Sequence, residues 1–493
     1  MMDLNQIISS LVKYGLSNDF IPQEDAIYCS NRLLEIFKAE TFEKVDTNFN
    51  LSETMDAALS YAEENKVREF ENQNELDCFD ALLMDAIMPR PSEVIARFNK
   101  LYKESPKKAT DWYYDFSIKT RYIRKDRLAK NIVYSVKGIK NDLDITINLS
   151  KPEKDPKEIA RLRTVKSSSY PKCFLCKENE GYYGTYSHPG RSNHRIIPIT
   201  INGEKFFLQY SPYGYFNEHC IILKNEHSPM TICRETFVRF MDFLDLFPKY
   251  MIGSNADLPI VGGSILSHEH FQGGDYAFPL TKTNSIYQFK IDGFDNCDCF
   301  ILNWPMSVIR IQTEDRGQLI NLSNRILTKW RNYTDKDAGI IANDGEPHST
   351  ITPISRMRGE KYEIDLVLRN NRTSEKYPDG IFHPHAELHH IKKENIGLIE
   401  VMGLAVLPGR LKEELNLVGR YLTKQDKTLD PSIDKHVEWM MELEKTHTFT
   451  KKNVDSILRE EVGLVFEKVL TCCGVFKLNE SGIKSFMKFI ETI

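Results

Sequence analysis

The sequence predicts an α+β fold in which helical segments flank a strand-rich middle region. Near the amino terminus, apolar residues recur at helical spacing, as at Ile7 and Leu11. After Pro106, short apolar runs alternate with turn residues, which is typical of strands. Helical spacing returns towards the carboxyl terminus, as at Val462 and Phe466. These three observations together predict the α+β class.

The length predicts more than one domain, since 493 residues exceed what one simple core holds. Two H-x-H pairs, His268 with His270 and His383 with His385, suggest two related α+β halves in the middle region. We therefore expect four parts: a helical layer, a half that carries the catalytic motif, a second half and a helical end. Their expected bounds are 1–105, 106–290, 291–425 and 426–493.

The helical layer is expected over residues 4–100, with a new helix beginning near Pro91. We find no chemistry in this layer. Strands are predicted at 132–136, 143–149, 206–210, 220–223, 299–302, 308–311 and 364–368. Later helices are predicted at 234–247, at 318–330 and after Leu411.

Composition excludes several classes of protein. A net charge of −5 gives no reason to expect nucleic acid or a membrane surface as partner. No apolar run approaches the 18 residues of a membrane span, and the amino terminus lacks the pattern of a signal peptide. We therefore expect a cytoplasmic protein whose ten cysteines are thiols or metal ligands, not disulfides. The sequence carries no signal for oligomeric state, and a homodimer is compatible with it.

The stretch 262–274 is the centre of the chain. In an extended strand, residues i, i+2 and i+4 point to one face, so His268, His270 and Gln272 would line up together. Glycines on both sides, including Gly262 and Gly263, allow close approach of the backbone to a ligand. This arrangement favours a phosphate site over a strand with polar residues facing solvent.

Each of these side chains suits one role in group transfer. A neutral imidazole at His270 is a good nucleophile towards phosphorus and splits a transfer into two steps. Gln272 can donate and accept hydrogen bonds but cannot shuttle a proton near neutral pH. A glutamine there suits a leaving group that needs no proton, such as a sugar phosphate. The motif therefore favours nucleotidyl transfer over hydrolysis.

Cys173 and Cys176 form a C-x-x-C pair, which can bind one metal or act as a redox pair. No thioredoxin-like βαβ pattern surrounds it, which favours zinc. A closed zinc site needs two further ligands. The candidates are His219, His227 and His268.

Charge on a transferred phosphoryl group needs hydrogen-bond donors. The candidates are backbone amides at Gly262, Gly263 and Ser264, side chains at Arg191, Asn193 and Arg195, and the basic run Lys119, Arg121, Arg124, Lys125 and Arg127. The basic run is equally well explained as a solvated face. A second cluster, with His348, His383 and His385, suggests substrate contact or a second metal.

Three local motifs resemble the galactose-1-phosphate uridylyltransferase branch of the histidine triad superfamily. They are the C-x-x-C pair, the strand and loop of 217–227, and the H-x-H-x-Q stretch. Longer stretches resemble the class II form found in Gram-positive bacteria. They lie at 148–154, 351–353, 368–371 and 390–403. The likeness covers essentially the whole chain.

This resemblance implies two histidine-triad-like halves that form an antiparallel half-barrel sheet. It also implies a ping-pong reaction in which UDP-glucose donates UMP to His270 and galactose 1-phosphate then accepts it. Gln272 would contact the phosphate. By motif position, a structural zinc would be held by Cys173, Cys176, His227 and His268.

The sequence departs from the class I pattern at Glu269 and Phe271, where class I has proline and glycine. His383 and His385 resemble the histidine pair of a second class I metal site, but no equivalent of its glutamate is found, so that metal is in doubt. The alternatives are a nucleotide-sugar phosphorylase or hydrolase of the same superfamily, against which Gln272 argues, and a non-catalytic, zinc-stabilised nucleotide-binding protein.

Overall fold

The computed structural model describes residues 2–47, 50–150, 170–263 and 265–493. Ser264 and the later part of the stretch 148–154, from residue 151 onwards, lie outside the described residues. The α+β class with an antiparallel sheet is confirmed. The four-part division of the chain stays a prediction.

The amino-terminal layer is helical and longer than expected. Its helices are α1 (Leu4–Ser17), α2 (Ala26–Ile36), α3 (Leu51–Glu64), α4 (Gln73–Asp85), α5 (Pro91–Glu104), α6 (Pro106–Lys119) and α7 (Lys125–Leu128). Asp3 caps α1, since its side chain accepts from the Gln6 amide. The change of character expected directly after Pro106 comes later, because two helices follow this proline and the first strand begins at Ile132. Proline occupies the first turn of α6, where its missing N–H costs nothing.

Thirteen strands lie within the described residues. They are β1 (Ile132–Lys137), β2 (Asp142–Asn148), β3 (Ile197–Ile201), β4 (Glu204–Tyr210), β5 (Cys220–Lys224), β6 (Met251–Gly253), β7 (His270–Gly274), β8 (Ser285–Phe289), β9 (Asp298–Leu302), β10 (Val308–Thr313), β11 (Ser349–Arg358), β12 (Lys361–Asn370) and β13 (Leu404–Pro408). All seven strands predicted by range are confirmed to within a few residues. β3, β6, β8, β11 and β13 were not predicted, and the strand expected at His268 begins at His270.

Ten strands form one antiparallel sheet in the order β3-β4-β5-β7-β6-β11-β12-β10-β9-β8. The first five strands come from one stretch of the chain and the last five from a later stretch. They meet where β6 pairs with β11. We call these five-stranded groups the first and second half-sheets.

The register places functional and structural residues on the same face of this sheet. Gln272 lies opposite Gly253, which lies opposite Ile354. Ile354 lies opposite Asp365, which lies opposite Arg310. Directly opposed residues share a face. We call this the polar face.

The other face of the sheet is apolar and packs against helices. Phe271 belongs to the same buried cluster as Ile222 and Ile364. The cluster includes residues of α8 (Arg234–Leu246) and α10 (Arg316–Arg331), such as Phe240 and Leu322. A short helix, α9 (Pro279–Lys282), lies between them in the chain. Apolar burial on this face holds β7 rigidly, because each buried aromatic or aliphatic side chain contributes roughly 2 kcal/mol.

Most of the remaining elements cover the polar face of the second half-sheet, whereas the last helix packs on Trp330 on the apolar side. β1, β2 and β13 form a separate sheet, antiparallel between β1 and β2 and parallel between β2 and β13. The later helices are α11 (Leu398–Val401), α12 (Leu411–Leu422), α13 (Val437–Thr446), α14 (Val454–Cys473) and α15 (Glu480–Ile490). A second buried cluster joins β2 and α14 to Val308, Ile354 and Val367 of the large sheet. None of the described helices is long and apolar enough to serve as a membrane span.

Candidate active site

His270 begins β7 and is buried, with 6% of its surface exposed. Its Nδ1 lies 2.8 Å from the carbonyl oxygen of His268. A carbonyl only accepts, so Nδ1 carries the proton and Nε2 keeps its lone pair. Burial lowers the pKa of His270 to about 4. The ring is therefore a neutral imidazole with one orientation fixed.

Gln272 is held by a histidine on the neighbouring loop. His219 Nε2 lies 3.0 Å from Gln272 Oε1 and donates to it. Burial lowers the pKa of His219 to about 4, so this ring is neutral as well. Because the oxygen of the amide is engaged, its NH2 group is the end left for a ligand. His219 was a candidate metal ligand in the sequence, and the structure pairs it with Gln272 instead.

Cys173, Cys176, His227 and His268 form a group whose ligand atoms lie within 4.8 Å of one another. The sulfur atoms are 3.5 Å apart, Cys173 Sγ is 3.3 Å from His268 Nδ1, and Cys176 Sγ is 3.2 Å from His227 Nδ1. Ligands around a tetrahedral zinc ion are about 3.5 Å apart. This group can hold a metal.

The surroundings of the group also fit a metal. His268 Nε2 donates to the carbonyl oxygen of Lys224 at 3.0 Å. Second bonds of this kind fix the tautomer of metal-binding histidines and leave the other nitrogen free for the ion. The same residue, His268, thus joins the metal group to the nucleophile candidate through its carbonyl.

A cavity of about 560 Å³ opens at Gln272. Gly262 and Gly263 line one side of it, and residues 392–400 line the other. A side chain at Gly263 would collide with the amide of Asn255, so glycine is required there. The cavity joins the H-x-H-x-Q strand to the stretch 390–403 that also carries the resemblance.

Asn255 is a cavity residue that the sequence did not single out. Its Oδ1 accepts from the amide of Leu398 at 2.9 Å, which fixes the orientation of the side-chain amide. The NH2 group is then the end available on the cavity side. Asn255 lies seven residues before Gly262, and no local spacing marks it.

Arg191, Asn193 and Arg195 do not line this cavity. Asn193 donates to the carbonyl of Thr120 at 2.8 Å, and Arg195 pairs with Asp85 at 2.8 Å. Both bonds attach the first half-sheet to the helical layer. Arg191 lies over the ring of Tyr122, beside a separate cavity of about 240 Å³.

The basic run is neither a fully solvated face nor a free anion site. Arg121 binds Asp80 at 2.9 Å, and Arg127 binds Asp77 at 2.6 Å. Arg124 contacts both carboxylates. These ion pairs join α4 to the segment after α6.

The later histidines are separated from one another. His348 contacts Asn371 and Asp344 at 2.8 and 2.7 Å. His383 Nε2 contacts Asn395 Oδ1 at 3.0 Å, and Asn395 lines the cavity at Gln272. His385 stacks on Tyr377. Across the described residues, the Cys173 group is the one set of three or more potential ligands close enough to share an ion.

Comparisons with known proteins agree over the length of the chain. The model for the N-terminal domain of galactose-1-phosphate uridyl transferase matches residues 19–229, and the model for its C-terminal domain matches 242–441. Galactose-1-phosphate uridylyltransferases of Clostridium acetobutylicum, Lactococcus lactis and Bacillus subtilis are 52%, 48% and 45% identical to this chain. The matches cover 99%, 100% and 100% of this chain and 100%, 100% and 98% of those proteins.

Among solved structures, a yeast Ap4A phosphorylase matches with a TM-score of 0.35 and 12% identity. The match covers 72% of this chain and 96% of the phosphorylase chain. At this level the match says nothing about activity. The full-length relatives and the site define a uridylyltransferase. Within that class, the chain belongs to the galactose-1-phosphate uridylyltransferase family, because the two domain models cover most of its residues.

Proposed function

We propose that this enzyme moves UMP from UDP-glucose to galactose 1-phosphate through a covalent uridylyl group on His270. In the first step His270 Nε2 attacks the α-phosphorus, a P–N bond forms, and glucose 1-phosphate leaves with the electrons of the P–O bond. In the second step a phosphate oxygen of galactose 1-phosphate attacks the same phosphorus. The P–N bond then breaks and UDP-galactose forms.

One observation carries this proposal. The hydrogen bond from His270 Nδ1 to the His268 carbonyl leaves Nε2 as the atom with a free lone pair, on the strand that reaches the cavity. A fixed, neutral imidazole is what nucleophilic catalysis at phosphorus needs. The names of the full-length relatives supply the substrate class.

Gln272 supports transfer between phosphates. Its NH2 group would donate to a non-bridging oxygen of the α-phosphate, where charge develops during the reaction. The leaving group in both directions is a sugar phosphate, which departs without a proton. A glutamine held by a neutral His219 therefore suffices at this position.

The opposite wall of the cavity would contact the rest of the substrate. Asn255, together with the amides at Gly262 and Gly263, would donate to phosphoryl oxygens. The expected role of the Ser264 amide stays a prediction. The substrate roles of Arg191, Asn193, Arg195, His348, His383 and His385 stay predictions. Of these, His383 contacts Asn395, which lines the cavity.

Zinc is the ion that we propose for Cys173, Cys176, His227 and His268. Two thiolates and two imidazoles are a complete ligand set for this ion, with no position left for a reactant. When bound, the ion would stabilise the loops around His268 and would not take part in transfer. The residues of the protein carry every step of the reaction.

Isotope exchange tests the ping-pong order. The enzyme is mixed with UDP-glucose and labelled glucose 1-phosphate, with galactose 1-phosphate left out. We expect label to enter UDP-glucose in the wild type and not in His270→Ala. Exchange that occurs only after galactose 1-phosphate is added would contradict the covalent order.

A further inference from the structure

A buried carboxylate separates the two functional histidines. Glu269 is 5% exposed, and its oxygens bind Lys224 Nζ at 2.9 Å and Arg239 Nη1 at 2.7 Å. Both cations also bind Glu204, with distances of 2.6 Å from Arg239 and 3.3 Å from Lys224. The four charges cancel within one compact group, which we call the Glu269 network.

The network also fixes the backbone on both sides of Glu269. The amide of Lys224 donates to the carbonyl of Glu269 at 3.1 Å, and the amide of Glu269 donates to Ser228 at 2.7 Å. The carbonyl of Lys224 accepts from His268 Nε2 at 3.0 Å. Lys224 thus binds Glu269 through its side chain and its amide, and His268 through its carbonyl.

From His268 the contacts continue to the nucleophile, whose Nδ1 is held by the His268 carbonyl. The His268 carbonyl belongs to the peptide bond between His268 and Glu269. Lys224 and Arg239 hold the side chain of Glu269 on the other side of that bond. A rotation of that peptide would turn the carbonyl away from His270 and release the ring. Such a rotation would pull Glu269 away from its cations and leave buried charge uncompensated. The network therefore resists it strongly.

We propose that Glu269 is a positioning residue for His270, acting through Lys224 and His268. This inference rests on the proposed role of His270 as nucleophile. Glu269 does not touch the reacting atoms, because its side chain points away from the face that carries His270 and Gln272. Its function is to hold the attacking nitrogen in line.

The chain offers a matched pair of variants. Glu269→Gln and Glu204→Gln each remove one negative charge from the same two cations. Glu269 alone lies between the histidines, whereas Glu204 lies at the start of β4 and is one third exposed. If the network were only structural, both variants would lower stability and neither would change the turnover of folded enzyme.

We expect Glu269→Gln to lower kcat on the order of tenfold to a hundredfold, since misplacing a nucleophile by about 1 Å costs this much. KM should stay within about twofold, because binding groups are untouched. Single-turnover formation of the uridylyl enzyme should slow by the same factor. Glu204→Gln should keep kcat within about twofold of the wild type. Unfolding curves of both variants show that folded protein is compared.

Histidine NMR separates this inference from the proposed function. With labelled histidine and His270→Ala for assignment, the Nδ1-protonated form of His270 should dominate in the wild type and in Glu204→Gln, and should fall in Glu269→Gln. An unchanged tautomer together with an unchanged kcat in Glu269→Gln overturns the positioning role. Equal loss of kcat in both variants also overturns it. If the wild type forms no uridylyl adduct, the proposed function is contradicted instead. The His270 tautomer in Glu269→Gln then decides by itself whether Glu269 positions the ring.

Discussion

The two half-sheets use the same polar face for opposite purposes. In the first, His270 and Gln272 are neutral groups that keep one hydrogen-bonding atom free. In the second, Arg310 binds Asp365 at 2.6 Å and Arg356 binds Glu363 at 2.6 Å. The guanidinium groups of Arg310 and Arg356 are thus paired with buried carboxylates.

Ionisation follows the same division. Burial lowers the pKa of His270 to about 4, because no carboxylate compensates the charged ring. Burial alone would raise the pKa of Asp365, but Arg310 and Arg356 outweigh it and hold that pKa below its usual value. The difference favours a chemical role for His270, whose Nε2 is not engaged and whose pKa is shifted by burial, and a structural role for Asp365, whose oxygens bind two guanidinium groups.

Removing the proposed nucleophile, His270, should have the largest effect. We expect His270→Ala to lower uridylyl transfer by on the order of 10³-fold or more, as for a residue that forms the covalent bond. The free energy of unfolding should change little, so that the loss of transfer is not a loss of folded protein. Steady-state assays with UDP-glucose and galactose 1-phosphate provide the measurement. A variant that kept a tenth of wild-type turnover would move the nucleophile to another residue.

Removing the proposed zinc ion should affect stability more than chemistry. An ion bound at a thousandfold excess over its Kd contributes about 4 kcal/mol to folding. We expect a chelator to lower the unfolding free energy of the wild type by about that amount and to leave Cys173→Ser unchanged. Thermal or urea unfolding with and without chelator measures this. Identical unfolding curves for the wild type and Cys173→Ser, each with and without chelator, would rule out a structural ion.

A substitution in the second half-sheet should do the opposite of His270→Ala: it should lower stability and leave turnover unchanged. Asp365→Asn leaves Arg310 and Arg356 with less buried countercharge, which costs about 3 kcal/mol. Turnover of the folded enzyme should not change, because no substrate contact is lost. Urea unfolding together with kcat for the folded fraction tests both statements. A large fall in kcat without loss of stability would place this cluster in the active site.

The Asp365 effect should depend on pH. Its folded pKa lies below the unfolded value of about 3.9, so its stabilising effect is complete above that value. As pH falls through the folded pKa, the carboxylate becomes protonated and the effect is lost. We therefore expect the stability gap between wild type and Asp365→Asn to be widest near pH 7 and to narrow below about pH 4. A gap that widened in acid would contradict the sign.

Substitutions at Gln272 and its partner His219 should give the smallest effects. The Gln272→Ala variant loses one hydrogen bond to the phosphoryl group, which lowers kcat by about tenfold to a hundredfold. The His219→Asn variant, which only loosens the same amide, should fall between the wild type and Gln272→Ala. Matched assays of the three proteins measure this order. A lower kcat in His219→Asn than in Gln272→Ala would give His219 a direct role in the reaction.

Local spacing predicts the Cys173 and Cys176 pair and the strand through His270, whereas the choice of His227 over His219 as a ligand comes from the family resemblance. Cys173 with Cys176, and His268 with His270, lie two or three residues apart, so their spacing alone reports geometry. Asn255 and Glu269 could not be assigned in this way. Their partners, such as Leu398 and Arg239, are distant in sequence, and only the folded sheet brings them together.

The strand predictions show the same limit. Apolar runs such as 308–313 identified buried strands, whereas β11 carries Ser, Thr, Pro and Arg on a fully packed strand. The helical layer was placed too short because Pro106 was interpreted as a boundary, although it begins α6. Arg195 looked available for phosphate, and tertiary contacts with Asp85 and Pro89 occupy it.

Intact mass spectrometry of the enzyme mixed with UDP-glucose alone tests the central claim most directly. The account predicts a mass gain of one uridylyl group, located on the peptide that contains His270 and absent from His270→Ala. Galactose 1-phosphate should remove it and yield UDP-galactose. Turnover with both substrates but no adduct from UDP-glucose alone would contradict the covalent mechanism and leave His270 as a binding residue.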